Sequence, residues 1–354
     1  MPIAFDVPLA PLTTLKLGGR ALKFLSAQTE NDIIESINNS DAIGEPVLIL
    51  GGGSNVVISD NGFSGLVIRN CLQGITTYSS SEETQVYVAA GESLADFVAQ
   101  MVDASLSGIE MLSGIPGTVG AAPVQNVGAY GSDISQVLQD VRVYDRKQKQ
   151  IKTINVAECD FNYRNSIFRN NSRYIILGVT VKLIKRNYAS PVCYKELAQA
   201  LQINIGSKPP LGQVHKAILQ LRRNKGMLLD TDDTESCSVG SFFKNPMITQ
   251  QKFLLLQNQF LQSQKEKSED SIPHFIDGDQ LKIPAAWLIE QAGFHKGYQK
   301  GPVGISRKHA LALVNRGGGT TCELIILARE IRDTVLDKFG ILLEAEPVFV
   351  GITL

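Results

Sequence analysis

The apolar positions of this chain fall in short alternating or continuous runs broken by glycine and polar turns, with a few stretches at helical spacing among them. PLTTLKLGGRALKFLSA predicts a threonine-rich turn and then an alternating strand, DIIESINNS a short helix, and residues 47–50 an apolar strand, together a small α+β unit. GLVIRN and VYVAAG predict further strands. Ser93 opens a helix with Asp96 at the capping-box position; Leu94, Phe97, Val98, Met101 and Val102 recur at helical spacing as core, and Gly108 is expected to end it. VLQDVRVYD, IKTINV and YIILGVTVKLI read as strands with hairpin-like connections. VHKAILQLRRNKG predicts a helix, and LLDTDDTESCSVG a linker or loop. QKFLLLQNQFLQSQKEKSEDS predicts an apolar-then-charged helix and loop, and IPAAWLIEQAGF a short helix from Pro284 to Gly293. Thr320 and Glu323 frame a capping box for a last helix with Leu324, Leu327, Ile331, Val335 and Leu336 on one face and Gly340 at its end. ILLEAEPVFV is then a final strand, and neither an internal repeat nor a low-complexity tract is evident.

A chain of 354 residues with 44% hydrophobic content is long enough for two or three domains, each with its own core. A formal net charge of -1 gives no electrostatic footprint for nucleic acid or an anionic membrane surface, although local basic clusters suffice for a phosphorylated small molecule. Five scattered cysteines (Cys71, Cys159, Cys193, Cys237, Cys322), without CxxC or paired histidine spacing, read as reduced cytosolic thiols rather than disulfides or metal ligands. The N-terminus lacks the basic region and apolar core of a signal peptide, and no apolar run reaches the length of a membrane span, so a cytoplasmic protein is expected.

Two stretches change this picture. GIPGTVGAAPVQNVGAYG, residues 114–131, holds five glycines, two prolines and no charge, a composition suited to backbone lying against something flat or phosphorylated. VLILGGGSNVVISD, residues 47–60, runs from an apolar strand into Gly51, Gly52, Gly53, Ser54 and Asn55 and then into β-branched residues rather than a helix. A phosphate there would be held by loop amides and the Ser54 hydroxyl, not by a helix dipole. The third glycine of a GxGxxG fingerprint is missing and no GK[ST] follows a glycine loop, which excludes Rossmann and P-loop assignments. Either stretch alone is as readily a glycine-rich connection.

Four further places offer chemistry, each with a plainer reading. Arg164 in YRNS follows a strand-like FNY and by itself reads as a surface or salt-bridge residue. Ser241 in GSFFKNP reads as a cap or turn, and no Ser-His-Asp arrangement supports a nucleophile. Glu344 and Glu346 fall two apart in the C-terminal strand and so on one face, between residues expected to be buried. LRRNKG, with Lys225, is either a solvated helix end or a grip for a pyrophosphate.

GGGSN and the 114–131 run together resemble the flavin-binding domain of the family that includes vanillyl-alcohol oxidase and the UDP-N-acetylenolpyruvoylglucosamine reductases of bacterial wall synthesis. The second group matches better: GGGSNVV, IPGTVGAAPVQNVGAYG, FNYRNSIF, GSFFKNP, PAAWLIEQAG and LEAEPVFVG are similar to its motifs in order and approximate spacing over nearly the whole chain. The resemblance implies an α+β fold with a two-part FAD-binding domain of the vanillyl-alcohol oxidase type (residues 1–72 and 73–212) and a C-terminal α+β substrate domain (213–354) whose last strand returns to the active site. It implies non-covalent FAD held by Gly51 to Asn55, Gly114, Ile115, Pro116, Gly117, Thr118, Gly120, Ala121, Gln125, Asn126, Gly128, Ala129 and Tyr130, no metal, and a monomer. Arg164, Ser241 and Glu346 correspond to the three catalytic positions; Lys225 and Asn245 match substrate-contacting ones. Tyr194 in PVCYKEL matches the tyrosine that closes over the uridine in the longer, type I form, and is expected in a mobile loop rather than in the core. The ending LEAEPVFVG departs from the family's frequent LEPEVRFIG, so the choice of Glu346 over Glu344 depends on register.

The implied reaction passes a hydride from NADPH to flavin and on to the terminal carbon of the enolpyruvyl ether of a UDP-sugar, giving UDP-N-acetylmuramate. Arg164 would pair with the carboxylate, protonated Glu346 would hydrogen-bond the developing enolate, and Ser241 would deliver the proton. Two alternatives remain at this stage: an oxidase of the same fold, whose covalent type is disfavoured because all four histidines lie after residue 200, and a non-catalytic flavin-binding module.

Overall fold

The computed structural model describes residues 2–79, 83–263 and 272–354. Two sheets and a C-terminal α+β unit make up the fold. The first sheet has four strands in the order Ala4–Pro8, Arg20–Ala27, Phe63–Asn70, Val47–Leu50; the outer pair at the N-terminal edge is antiparallel and the other two pairings are parallel. Parallel pairing needs crossovers: helix α1 (Glu30–Ala42), closed at its start by a Thr29/Asp32 capping box, carries the chain from Arg20–Ala27 to Val47–Leu50, and residues 51–62 carry it on to Phe63–Asn70. Alternation then sorts the side chains. Leu25, Leu66 and Ile68 face α1 through Ile33 and Ile37, whereas Val67 and Leu50 face Ile58 and Val350 on the other side; Ala21 joins that second side although it lies four residues before Leu25, because the register shifts between Ala21 and Lys23.

The second sheet is antiparallel throughout, with strands Gln150–Asn155, Leu138–Asp145, Tyr174–Lys185, Glu83–Ala89 and Ile75–Ser79 in that order and the short Leu106–Ser107 beside Tyr174–Lys185. Helix α2 (Leu94–Asp103), N-capped by Ser93, packs its Leu94, Phe97, Val98 and Met101 on this sheet. Contrary to expectation it stops at Asp103, not at Gly108: Ser105 takes a φ of 57° and the chain turns straight into Leu106–Ser107. The link between Asn155 and Tyr174 is likewise no hairpin but a long excursion that carries the FNYRNSIF motif. The cores of the two sheets meet where Tyr144, Ile175 and Leu177 join the α1 cluster.

Helices α3 (Lys195–Leu201) and α4 (Leu211–Asn224) pair with each other and bury Val214 and Ile218 against Val102 and Met111. Tyr194, expected in a mobile loop, is the residue before α3 and packs partly into this cluster. Helix α5 (Gln250–Ser263) accounts for the apolar part of the next stretch, while the expected loop at 264–271 lies outside the described residues. Helices α6 (Ala285–Gln291) and α7 (Thr321–Phe339) share the C-terminal core with Phe242, Phe243 and Leu313. On α7 the buried face holds Leu324, Leu327, Ile331 and Val335 as expected; Leu336, 39% exposed, is not part of it, and Ile325 and Ala328 are. Asp60, just past the first glycine loop, accepts hydrogen bonds from the amides of Thr321 and Cys322 at the α7 N-terminus (2.8 and 2.9 Å) and so joins the C-terminal unit to the first sheet.

The end of the chain is not the long strand predicted. Only Val348–Val350 is a strand, and it pairs in parallel with Val56–Ile58, directly after GGGSN. Residues 341–347 lie along the GSFFKNP segment instead, through Lys244 N–H to Glu344 C=O (2.9 Å) and Glu346 N–H to Phe242 C=O (2.9 Å). Glu344 and Glu346 flank this bridge but stand in different surroundings. The Glu344 side chain is 73% exposed beside Lys244, and that of Glu346 is 13% exposed beside Arg164.

Candidate active site

A cavity of about 460 Å³ lies between the two sheets, bounded by Val47–Leu50 and Asn70 of the first, by Tyr174, Ile175 and Ile176 of the second, and by Ala90, Leu94 and residues 168–172 beside it. The two glycine-rich stretches form one wall, through Gly51 to Asn55, Pro116 to Thr118, Gly120, Ala121 and Gln125. Their glycines serve a purpose besides ligand approach, because the loops lie directly on each other. A Cβ on Gly52 would come 2.7 Å from Gly117 Cα, and one on Gly51 would come 2.6 Å from Thr118 Oγ1. The Ser54 hydroxyl, expected to hold a phosphate, donates to the Pro116 carbonyl oxygen (3.1 Å) and joins the loops.

Ala122, Val124 and Val127 line the cavity as well, whereas Gly114, Ile115, Asn126, Gly128, Ala129 and Tyr130, expected at the cofactor, lie outside the lining and support it from behind. Gly114 packs on α4, where a Cβ would meet Leu219 and Leu228, and its carbonyl oxygen accepts from Nε of the buried Arg222 (3.0 Å). Ile115 belongs to the α2 core. Asn126 accepts the Ser135 amide (3.1 Å) and with Gly128 offers carbonyl oxygens to Arg164, while Ala129 forms a two-stranded turn with Ser132. Tyr130 sets its ring edge-to-face on Tyr194, with centroids 5.5 Å apart, and burial pushes its phenol up to about 12.

At one side of the cavity the lining residues Asn55, Gln125 and Arg169 lead into a polar network. The Asn55 amide donates to Gln125 Oε1 (2.7 Å), and Gln125 Nε2 donates to Glu346 Oε1 (3.4 Å). Arg164 Nε lies 3.0 Å from the same oxygen, without the alignment of a hydrogen bond, so a buried N–H is left with no acceptor. The rest of that guanidinium is fixed by Gly128 C=O (2.9 Å) and Asn126 C=O (3.5 Å), and Arg164 itself stands at φ 54°, a left-handed conformation costly for a side chain of its size. A strained arginine with one unused buried donor beside a carboxylate is suited to receiving an anionic substrate group. Ser241 precedes the buried Phe242, whose carbonyl oxygen accepts the Glu346 amide, so the three expected catalytic residues sit on mutually bonded segments.

Lys225, the C-cap of α4, pairs with Glu196 Oε2 (2.5 Å), two residues beyond Tyr194. Asn245 accepts the Ala285 amide (2.9 Å) at the start of α6 and is in that respect a helix cap. Sequence reasoning passed over Arg169, Arg146 and Asn170–Ser172 in the cavity lining.

Residues 21–153 match the family described as FAD binding domain, and residues 232–350 match UDP-N-acetylenolpyruvoylglucosamine reductase, C-terminal domain. The UDP-N-acetylenolpyruvoylglucosamine reductase of Thermobifida fusca is 48% identical, over 99% of this chain and 99% of the relative, and that of Streptomyces avermitilis is 44% identical, over 99% and 95%. The chain belongs to the UDP-N-acetylenolpyruvoylglucosamine reductase family. The crystal structure of the Thermus caldophilus reductase covers 99% of this chain and 98% of its own with a TM-score of 0.63 at 24% identity, which places the two in one fold. As a reductase of this family the chain is an FAD-dependent oxidoreductase, and its cavity suits FAD: it is concave, walled by glycine backbone on one side and apolar strand residues on the other, with a few convergent polar groups. Neither histidine nor cysteine occurs in the lining.

Proposed function

We propose that this protein reduces UDP-N-acetylglucosamine enolpyruvate to UDP-N-acetylmuramate with NADPH, a step in peptidoglycan precursor synthesis. The observation that carries the proposal is the Gln125–Glu346–Arg164 cluster at the side of the flavin cavity, built by the return of the C-terminal strand onto Val56–Ile58. Gly51 to Asn55, Pro116 to Thr118 and Gln125 would hold FAD, which when bound supplies the hydride carrier between NADPH and the enolpyruvyl carbon. Arg164 would pair with the substrate carboxylate and steady the negative charge that hydride addition develops there. Glu346 pairs with Arg164 and accepts a hydrogen bond from Gln125 Nε2, and so fixes the two residues relative to each other. Ser241 delivers a proton to the carbon next to the carboxylate, which completes the reduction. Tyr194 covers the uracil, and Lys225 and Asn245 contact the remainder of the sugar nucleotide.

We assign residues 1–72 and 73–212 to the two parts of the flavin domain and 213–354 to substrate binding, with α4 at the seam. No helix of the described residues is long and apolar enough to cross a membrane, and we take the protein to be a cytoplasmic monomer that binds neither nucleic acid nor membrane. The test is spectroscopic and anaerobic. NADPH should bleach the flavin bands of the purified protein, and UDP-N-acetylglucosamine enolpyruvate should restore them. Bleaching without restoration refutes the proposed substrate, and an unbleached flavin refutes the reductase reading altogether.

A further inference from the structure

Arg169 is the one cation of the cavity lining that reaches both charged members of the network. Its Nη1 donates to the Arg164 carbonyl oxygen (3.1 Å) and lies 3.4 Å from Gln125 Oε1, and its Nη2 donates to the Glu346 carbonyl oxygen (3.0 Å). Among the described residues it makes no ion pair with a carboxylate; its acceptors are two backbone carbonyls and an amide. Burial lowers its pKa against the opposing pull of Glu346 and Glu344, so a desolvated charge is kept here at a cost. Those acceptors come from three separate segments: the excursion between two strands, the glycine-rich stretch, and the C-terminal segment before Val348–Val350. One of them is the carbonyl of Arg164, the residue held at positive φ. Backbone in that region persists only when its surroundings over-determine it.

We propose that Arg169 is a positioning residue, whose guanidinium fork sets the Arg164 backbone and the Glu346 backbone in register with Gln125 and so assembles the carboxylate-binding pocket. The inference rests on the roles proposed above for Arg164 and Glu346. A planar fork with several fixed donors can serve three acceptors at once, whereas an ammonium on a flexible stem cannot hold the same geometry. Lysine at this position would keep the charge and lose the register.

The experiment uses Arg169→Lys and Arg169→Met, each purified with FAD bound, beside the wild type. In both variants, re-oxidation by the enolpyruvyl sugar nucleotide should slow by about 10²-fold more than reduction by NADPH does, the loss expected when a reacting group is misplaced by about 1 Å. A second readout needs no turnover. The Asn162 and Asn165 amides bond to each other's carbonyl oxygens across Arg164 (3.2 and 3.1 Å), and their hydrogen exchange should accelerate in the variants while the strand Tyr174–Lys185 keeps its protection. Wild-type re-oxidation by Arg169→Lys, equal slowing of both half-reactions, or unchanged exchange at Asn162 and Asn165 would each overturn the proposal. Should Arg169→Met fail to retain flavin, the lysine variant decides. Should the wild type itself show no re-oxidation by this substrate, the proposed activity fails, and the exchange measurement still decides the role of Arg169.

Discussion

Ser241→Ala should separate the two half-reactions. The segment that carries Ser241 is anchored independently of its hydroxyl: Phe242 and Phe243 are buried at 0% and 1% exposure, the Phe242 amide donates to Leu311 C=O (2.8 Å), and Lys244 and Phe242 are both bonded to the C-terminal segment. Replacing Oγ by hydrogen therefore leaves the Cβ where it was, and the loss is that of a donor rather than of a fold. A positioned proton donor is worth about 10² to 10⁴ in rate. Serine is a weak acid, so a substrate that depends on it has no comparable donor in reserve, and the loss should lie near 10⁴, about 5 kcal/mol of barrier. Hydride transfer from NADPH leaves no carbanion to protonate, so flavin reduction should keep its rate. Stopped-flow absorbance of the flavin, with NADPH and the enolpyruvyl substrate mixed in separate experiments, measures the two steps, and Ser241→Cys should recover part of the second. Equal slowing of both would make Ser241 a shaper of the pocket; an unchanged second step would remove it from the mechanism.

Three further outcomes follow from the geometry. With no histidine or cysteine in the cavity lining, FAD should remain in the supernatant when the protein is precipitated with acid, and colour retained in the pellet would contradict non-covalent binding. Tyr194→Ala should raise KM for the sugar nucleotide; because the ring also stacks on Tyr130, worth about 0.5–1.5 kcal/mol, a small fall in Tm should accompany it, and a large fall with unchanged KM would make the ring a packing residue only. Asp145, with no exposed side-chain surface, accepts Arg173 Nε and Nη2 (2.9 and 2.7 Å) and pairs with Lys152 (2.8 Å); Arg173 first and Lys152 after it hold its carboxyl well below the usual range. A depressed folded pKa contributes stability that is present above the unfolded value of about 3.9 and is lost as pH falls towards the folded one. Asp145→Asn should therefore lower stability at pH 7 by an amount at or below the lower end of about 3–5 kcal/mol, since both partners are part-exposed, and denaturant midpoints of variant and wild type should converge below pH about 4. A gap that stays constant with pH would show the charge to be immaterial.

Local pattern carried the elements and failed where distant segments decide local shape. The helix caps at Ser93 and Thr320 were legible because their partners lie three residues away. The glycine stretches were legible as cofactor loops, but not that Gly51 and Gly52 are needed for Gly117 and Thr118 to lie against them, which only the packed pair reveals. Alternation placed Glu344 and Glu346 on one face, an inference valid for a regular strand. It did not tell their surroundings apart, because residues 344–346 bridge to the GSFFKNP segment, and ladder pairing with Val56–Ile58 starts only at Val348, past Pro347, which has no N–H to give. The same departure places one carboxylate against Arg164 and leaves the other to Lys244 in solvent. Arg169 had no local signature at all, since its acceptors are main-chain oxygens and a carboxamide that no residue pattern near it announces. The pocket is thus specified by a pairing between the two ends of the chain, so substitutions in Val348–Val350 that spare the core should loosen Glu346 before they unfold the protein.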